Sequence, residues 1–125
     1  ADLTANGLVT NERTLAEEPG LVRGMVRAFA RGLADAIADP EAAYRLSRAW
    51  VENLPEEDPI QFKVLENSIK LWDATALGYE QLGYTDPASW ALTMQTLLDM
   101  EMIDAPVDLS GACTNAFLPP LEEAE

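Results

Sequence analysis

Residues 21–40 read LVRGMVRAFARGLADAIADP, and this stretch decides the fold class. Val22, Val26, Phe29, Leu33 and Ile37 recur at steps of three and four, so they line one side of a helix. The spacing predicts a long helix from about Leu21 to Ala38 with that stripe turned to a core. Arg23, Arg27 and Arg31 stand four apart on another face, with Asp35 four beyond Arg31. Such a row is a solvated face pairing with acids one turn away, or a ladder that holds an anion.

The stretch runs into Asp39-Pro40-Glu41, and the pair recurs in Asp58-Pro59-Ile60 and Asp86-Pro87-Ala88. Each reads as a helix start. The Asp oxygen accepts from free backbone N–H groups, and Pro at the first helical position has no N–H to leave unpaired. The uneven spacing of the three starts argues against a repeat architecture. The helix from Pro40 carries Ala43, Ser47, Trp50 and Val51 on one side; that from Pro59, to about residue 75, carries Val64, Leu65, Leu71 and Trp72. The helix from Pro87, to about residue 102, carries Trp90, Met94, Leu97, Leu98 and Met102. These stripes are expected to face one core, with Phe29 and Leu97 inside it.

Upstream, Thr10 or Asn11 can cap a short helix through Leu15, Ala16 and Glu17, stopped by Pro19-Gly20. Gly7-Leu8-Val9-Thr10 is short and β-branched and reads as a strand. A strand needs backbone partners, and no second strand is legible. Its partners belong to a missing part of a parent protein or to another copy of the chain. After Met102 the chain is irregular, through Pro106, Gly111 and Pro119-Pro120. The expected fold is therefore mainly α: about five helices plus one short N-terminal strand. One helical domain spans residues 1–120, and residues 121–125 form an acidic, mobile tail.

With 125 residues and 48% hydrophobic content, the chain suffices for one domain with a core. Its net charge of −14, from 22 acidic and 8 basic residues, repels phosphate backbones and anionic membranes. Nucleic-acid partners are not expected, nor is membrane insertion, since no apolar run approaches a bilayer span. The first residue is Ala1 rather than Met and no signal-peptide core is visible, so the chain is expected to be a processed or excised segment.

Two absences shape the chemistry. Histidine does not occur, which removes the commonest general base and the commonest zinc ligand. Cys113 is the single cysteine, so no internal disulfide or thiolate cluster can form, and it reads as a small buried hydrophobe. Glu12, Glu17 and Glu18, and Glu56, Glu57 and Asp58, are carboxylate clusters at helix ends, where capping and dipole effects favour acids. No phosphate-cradling or nucleophile motif is present. The chain is expected not to be an enzyme, and no cofactor or metal is expected. Trp50, Trp72 and Trp90 fall on apolar stripes and read as core. Trp72, followed by Asp73-Ala74-Thr75, is also a candidate ligand contact.

Four stretches resemble the C-terminal region of the NMT1/THI5-like family. They are Asn6-Gly7-Leu8-Val9-Thr10-Asn11; Glu18-Pro19-Gly20-Leu21-Val22-Arg23 with Phe29-Ala30-Arg31-Gly32-Leu33; Asp39-Pro40-Glu41-Ala42-Ala43; and Ile103-Asp104-Ala105-Pro106-Val107-Asp108 with Thr114-Asn115-Ala116-Phe117-Leu118-Pro119. The resemblance implies a C-terminal fragment of a two-lobed α/β periplasmic-binding-protein-like (type 2) fold. It implies part of a solute-binding protein of an ABC importer, periplasmic or extracellular and membrane-associated through a permease. Such a protein takes a thiamine precursor, riboflavin, sulfonate or similar small molecule, and this chain would do so only with its missing N-terminal portion. Asn6, at the start of the strand, is then a candidate substrate contact beside Trp72. The family's pyrimidine-synthesising enzymes use a histidine that this chain lacks. The alternative is a free-standing helical protein-interaction module. An orphan strand and uncovered helix faces also lead to an expected homodimer through residues 6–10.

Overall fold

A computed structural model describes Leu3 and residues 7–119. Its helices are α1 (Glu12–Glu17), α2 (Pro19–Ala38), α3 (Pro40–Ser47), α4 (Pro59–Trp72) and α5 (Pro87–Asp99). The chain is mainly helical, and among the described residues there is no strand. The strand expected at residues 7–10 is corrected: the segment is exposed and irregular, with Val9 94% accessible. No other segment offers a ladder, so the β-branched pattern has nothing to pair with. The tail expected at residues 121–125 lies outside the described residues.

The Asp-Pro starts act as their chemistry requires. The Asp39 carboxylate accepts from Ala42 N at 2.9 Å, and Asp86 from Ala88 N at 3.0 Å. Asp58 accepts two N–H groups, from Ile60 at 2.9 Å and Gln61 at 3.1 Å. Asn11 caps α1 through Thr14 N. Pro19, read as a stop for α1, is also the first residue of α2, so Glu18 alone separates the two helices. Asp39 alone separates α2 from α3.

Three helices end earlier than their periodicity suggests, α5 among them: it stops at Asp99 rather than near residue 102, and Met102 is 64% exposed. α4 stops at Trp72 because Asp73 turns its side chain onto the following residues, accepting from Thr75 Oγ1 at 2.7 Å and Ala76 N at 3.1 Å. α3 stops at Ser47, and the chain leaves through Asn53 at a left-handed φ of 60°. Trp50 and Val51 consequently lie beyond the helix, 87% and 51% exposed, rather than in a core.

Packing runs between neighbours in sequence: α1 on α2, α2 on α3, α3 on α4, with α2 also against α4. Tyr44 of α3 meets Phe62 of α4 edge to face at 6.0 Å and donates its hydroxyl to Pro55 O. Among the described residues, α5 comes close to no other helix. It is held by polar contacts and the C-terminal segment. Asn115 Oδ1 accepts from Thr85 N and Asn115 Nδ2 donates to Thr85 O, each at 2.9 Å, while Trp90 Nε1 donates to Thr85 Oγ1. Phe117, two residues on, lies under the Arg23 guanidinium of α2 at 5.5 Å.

The interior is thin. Tyr44 and Ala74, each 8% exposed, are the buried residues of the described chain. The accessible surface is 9,654 Å², whereas a compact monomer of this mass exposes about 6,600 Å². Val22, Val26, Leu33 and Ile37 are half-buried, as the stripe in α2 requires, and so is Leu97. Phe29 is 45% exposed, which corrects its assignment to the core. Cys113 is half-buried.

Removing the double cap by Asp58→Ala is expected to lower stability by about 1 kcal/mol, read from the denaturant midpoint of helical circular dichroism. Phe29→Ala in the same assay should cost less than about 1 kcal/mol, since half its ring already meets water. A cost of several kcal/mol would mean that the ring is enclosed in solution.

Candidate functional site

A concavity of about 1,010 Å³ lies along the polar side of α2. Ala30, Ala34 and Ala38 recur every fourth residue and form a low floor, because side chains four apart in a helix share one face. Arg27, Arg31 and Asp35 stand beside that floor at the same interval. The opposite wall is the connection between α4 and α5: Asp73, Thr75, Glu80, Gln81 and Leu82, with Pro119 closing one end.

Local backbone chemistry places that wall. Asp73 organises the turn after α4, and its carboxyl is held below the ordinary value of 3.8 by the Thr75 hydroxyl first and by the Ala76 N–H. Gly78 and Gly83, at φ of 91° and 79°, take left-handed conformations that favour glycine. They bracket the segment that carries Glu80, Gln81 and Leu82. A Cβ at Gly83 would also stand 3.3 Å from Leu118. Tyr79 and Tyr84 stack at 5.5 Å between these two turns.

The cleft therefore has two guanidinium groups, three carboxylates, one hydroxyl and one amide. Gln81 Oε1 is buried and accepts no hydrogen bond among the described residues. A buried acceptor without a partner costs about 1–3 kcal/mol. The wall suits recognition of a polar small molecule by hydrogen bonding. Among the described residues, no group of three metal-ligating side chains converges. A smaller hollow of about 470 Å³ lies between α3 and α4, over Tyr44 and Phe62. Two of its four carboxylates have structural work: Asp58 caps α4, and Glu56 faces Arg48 at 3.7 Å.

Of the two residues singled out by sequence, Asn6 lies outside the described residues. Trp72 is the last residue of α4, 39% exposed, and adjoins the cleft residue Asp73 without lining the cleft. The arginine row divides: Arg27 and Arg31 line the cleft, while Arg23 covers Phe117. Gln81 and Glu80 were not legible as site residues, because an irregular connection carries no periodicity. Asp73-Ala74-Thr75 was the available signal, and it marks Asp73 and Thr75 as cleft residues next to Trp72.

Residues 1–43 match the sequence profile described as NMT1/THI5 like. Over 119 residues, 94% of the chain, the sequence is 38% identical to the riboflavin-binding protein RibY of Chloroflexus aurantiacus. Over that first stretch the chain is similar to the NMT1/THI5-like family. It spans 34% of the length of that curated relative. No solved structure matches it. The profile covers α1 and α2, so the NMT1/THI5-like residues include the floor of the cleft and its arginines.

Replacing Thr75 by Val removes the hydroxyl that contributes most to the low Asp73 pKa, so that value should rise toward 3.8. A lowered folded-state pKa stabilises the turn above the unfolded value, and the contribution is lost as pH falls through the folded one. Carboxyl-carbon NMR titration of wild type and Thr75→Val reads the shift directly. An unchanged Asp73 titration would mean that the hydroxyl does not bond the carboxylate in solution.

Proposed function

We propose that this chain is the C-terminal part of a solute-binding protein serving an ABC importer, and that it has a binding rather than a catalytic role. The observation that carries the reading is 38% identity to a riboflavin-binding protein over nearly the whole chain. The solute is a small organic molecule, and a neutral heterocycle fits the cleft better than a strong anion. Three carboxylates against two guanidinium groups disfavour added negative charge, whereas Gln81 Oε1 seeks a donor of the kind that flavin-like rings present. Asn6 and Trp72 are proposed as contacts within the complete protein. The complete protein is proposed to act in the periplasm or outside the cell and to deliver its solute to a membrane permease. Among the described residues, no helix is long and apolar enough to cross a membrane.

The open cleft has one set of walls. Tight binding of a small molecule requires most of its surface to leave water, so the rest of the protein must close over it. Titration calorimetry with riboflavin, a thiamine precursor and a sulfonate should show micromolar or tighter binding of one of them to the full-length protein. The 125-residue chain alone should show none. Micromolar binding by the chain alone would overturn the requirement for the missing portion, and no binding of any by the full-length protein would overturn the solute-binding role.

A further inference from the structure

Residues 115–119 touch both sides of the cleft. On the wall side, Asn115 bonds the Thr85 backbone twice at 2.9 Å, and Leu118 lies close against Gly83. On the floor side, Phe117 lies under the guanidinium of Arg23, one turn of α2 before the cleft residue Arg27. Pro119 lines the cleft itself. Burial follows this division, since Asn115, Phe117 and Pro119 are half-buried while Thr114 and Ala116 are exposed. A 3.2 Å bond from Leu118 N to Asn115 O closes a turn within the segment and couples its two attachments.

The wall has use for such a tie. Residues 79–86 form a unit of their own: Tyr79 stacks on Tyr84 at 5.5 Å and donates its hydroxyl to Asp86 at 3.4 Å. Tyr84 N donates to Gln81 O within it. At one end the unit is anchored to the Asp73 turn, where Tyr79 N donates to Ala74 O at 2.9 Å. Gly78, at a φ of 91°, is the joint there. At the other end it runs into α5, which among the described residues packs against no other helix. A unit anchored at one end pivots about that end, whereas one tied at both ends keeps its distance from α2.

We propose that residues 115–119 are a strap that sets the width of the cleft. Asn115 is then a positioning residue for solute binding, acting through Thr85 without touching the solute. The proposal rests on the reading that the cleft takes a solute. Glu80 and Gln81 keep their place opposite Arg27 and Arg31 through this tie, because both lie inside the unit that it holds. The same tie engages Arg23, so the first arginine of the row stands over Phe117 and the cleft keeps two guanidinium groups.

Two measurements on the full-length protein test this. In the first, spin labels at Ala28→Cys on α2 and Gln95→Cys on α5 report the distance between the two sides by pulsed electron resonance. Cys113 and any other cysteine are replaced by serine. With Asn115 in place the distance should be single and narrow. Asn115→Leu keeps the size of the side chain and removes both bonds, and should broaden the distribution about twofold or more. An unchanged distribution overturns the strap. In the second, calorimetry compares riboflavin, a thiamine precursor and a sulfonate on wild type, Asn115→Leu and Leu97→Ala. Whichever of them the wild type binds should bind Asn115→Leu about tenfold or more weakly, as misplaced contacts do. Leu97→Ala removes bulk from α5 and leaves the strap bonds in place. It should lower the melting temperature yet change affinity by less than about threefold. Unchanged affinity in Asn115→Leu, or an equal loss in Leu97→Ala, overturns the positioning role. Should Asn115→Leu misfold, Phe117→Leu releases the other attachment: a broadened distance supports the strap and an unchanged one refutes it. The labels need no solute, so a broadened distance in a protein whose wild type binds none of the three would sink the functional reading alone.

Discussion

The placement of the C-terminal third depends on one amide. Asn115 exchanges two hydrogen bonds with the backbone of Thr85, thirty residues away, each 2.9 Å long. A side-chain amide can do this because it carries an acceptor and a donor at the spacing of a peptide group. Among the described residues no other helix comes close to α5, and this pairing, the Trp90 bond to Thr85 and the close approach of Leu118 to Gly83 help to hold it. Phe117 then ties the same segment to α2 through Arg23, and Pro119 reaches the end of the cleft. The cleft wall, the start of α5 and residues 115–119 are thus parts of one linkage.

The three Asp-Pro helix beginnings were legible to the residue, because capping is local chemistry: an Asp, a Pro and free N–H groups within one turn; α2, expected from about Leu21, begins at Pro19. Helix ends were less so. The apolar period continues past Trp72, yet Asp73 bonds Thr75 and Ala76, and that competition stops α4. Periodicity also identified a stripe in α2 without ranking its members. Val22 and Val26 are half-buried while Phe29, on the edge of the same arc, is 45% exposed. When a helix is apolar over more than half its girth, the pattern cannot say which side its own chain will cover. The strand at residues 7–10 failed for a related reason, since a β pattern specifies a demand for partners and not their supply.

At the cleft, the arginine row was visible as a row, but its use was not. Arg27 and Arg31 look across at a connection whose conformation rests on Gly78, Gly83 and the Asp73 turn. The residues most able to recognise a ligand there, Thr75 and Gln81, owe their positions to that irregular backbone. Charge follows the same division. Asp39, Asp58 and Asp86 are used at helix starts, whereas Asp73 and Glu80 stand on the cleft wall.

The joints at Glu18 and Asp39 have a bearing on how such sequences can vary in length. Each joint residue donates its N–H to close one helix, and its carbonyl accepts the first bond of the next. With a single residue between helices there is no slack. One inserted residue would turn everything beyond it by about 100° and carry a half-buried face into water. The connection of residues 73–86 has turns of its own and can absorb a change of length without rotating α2 against α3. Insertions and deletions among related chains should therefore gather there, beside the cleft, where altered length reshapes a binding wall and leaves the helical frame in register.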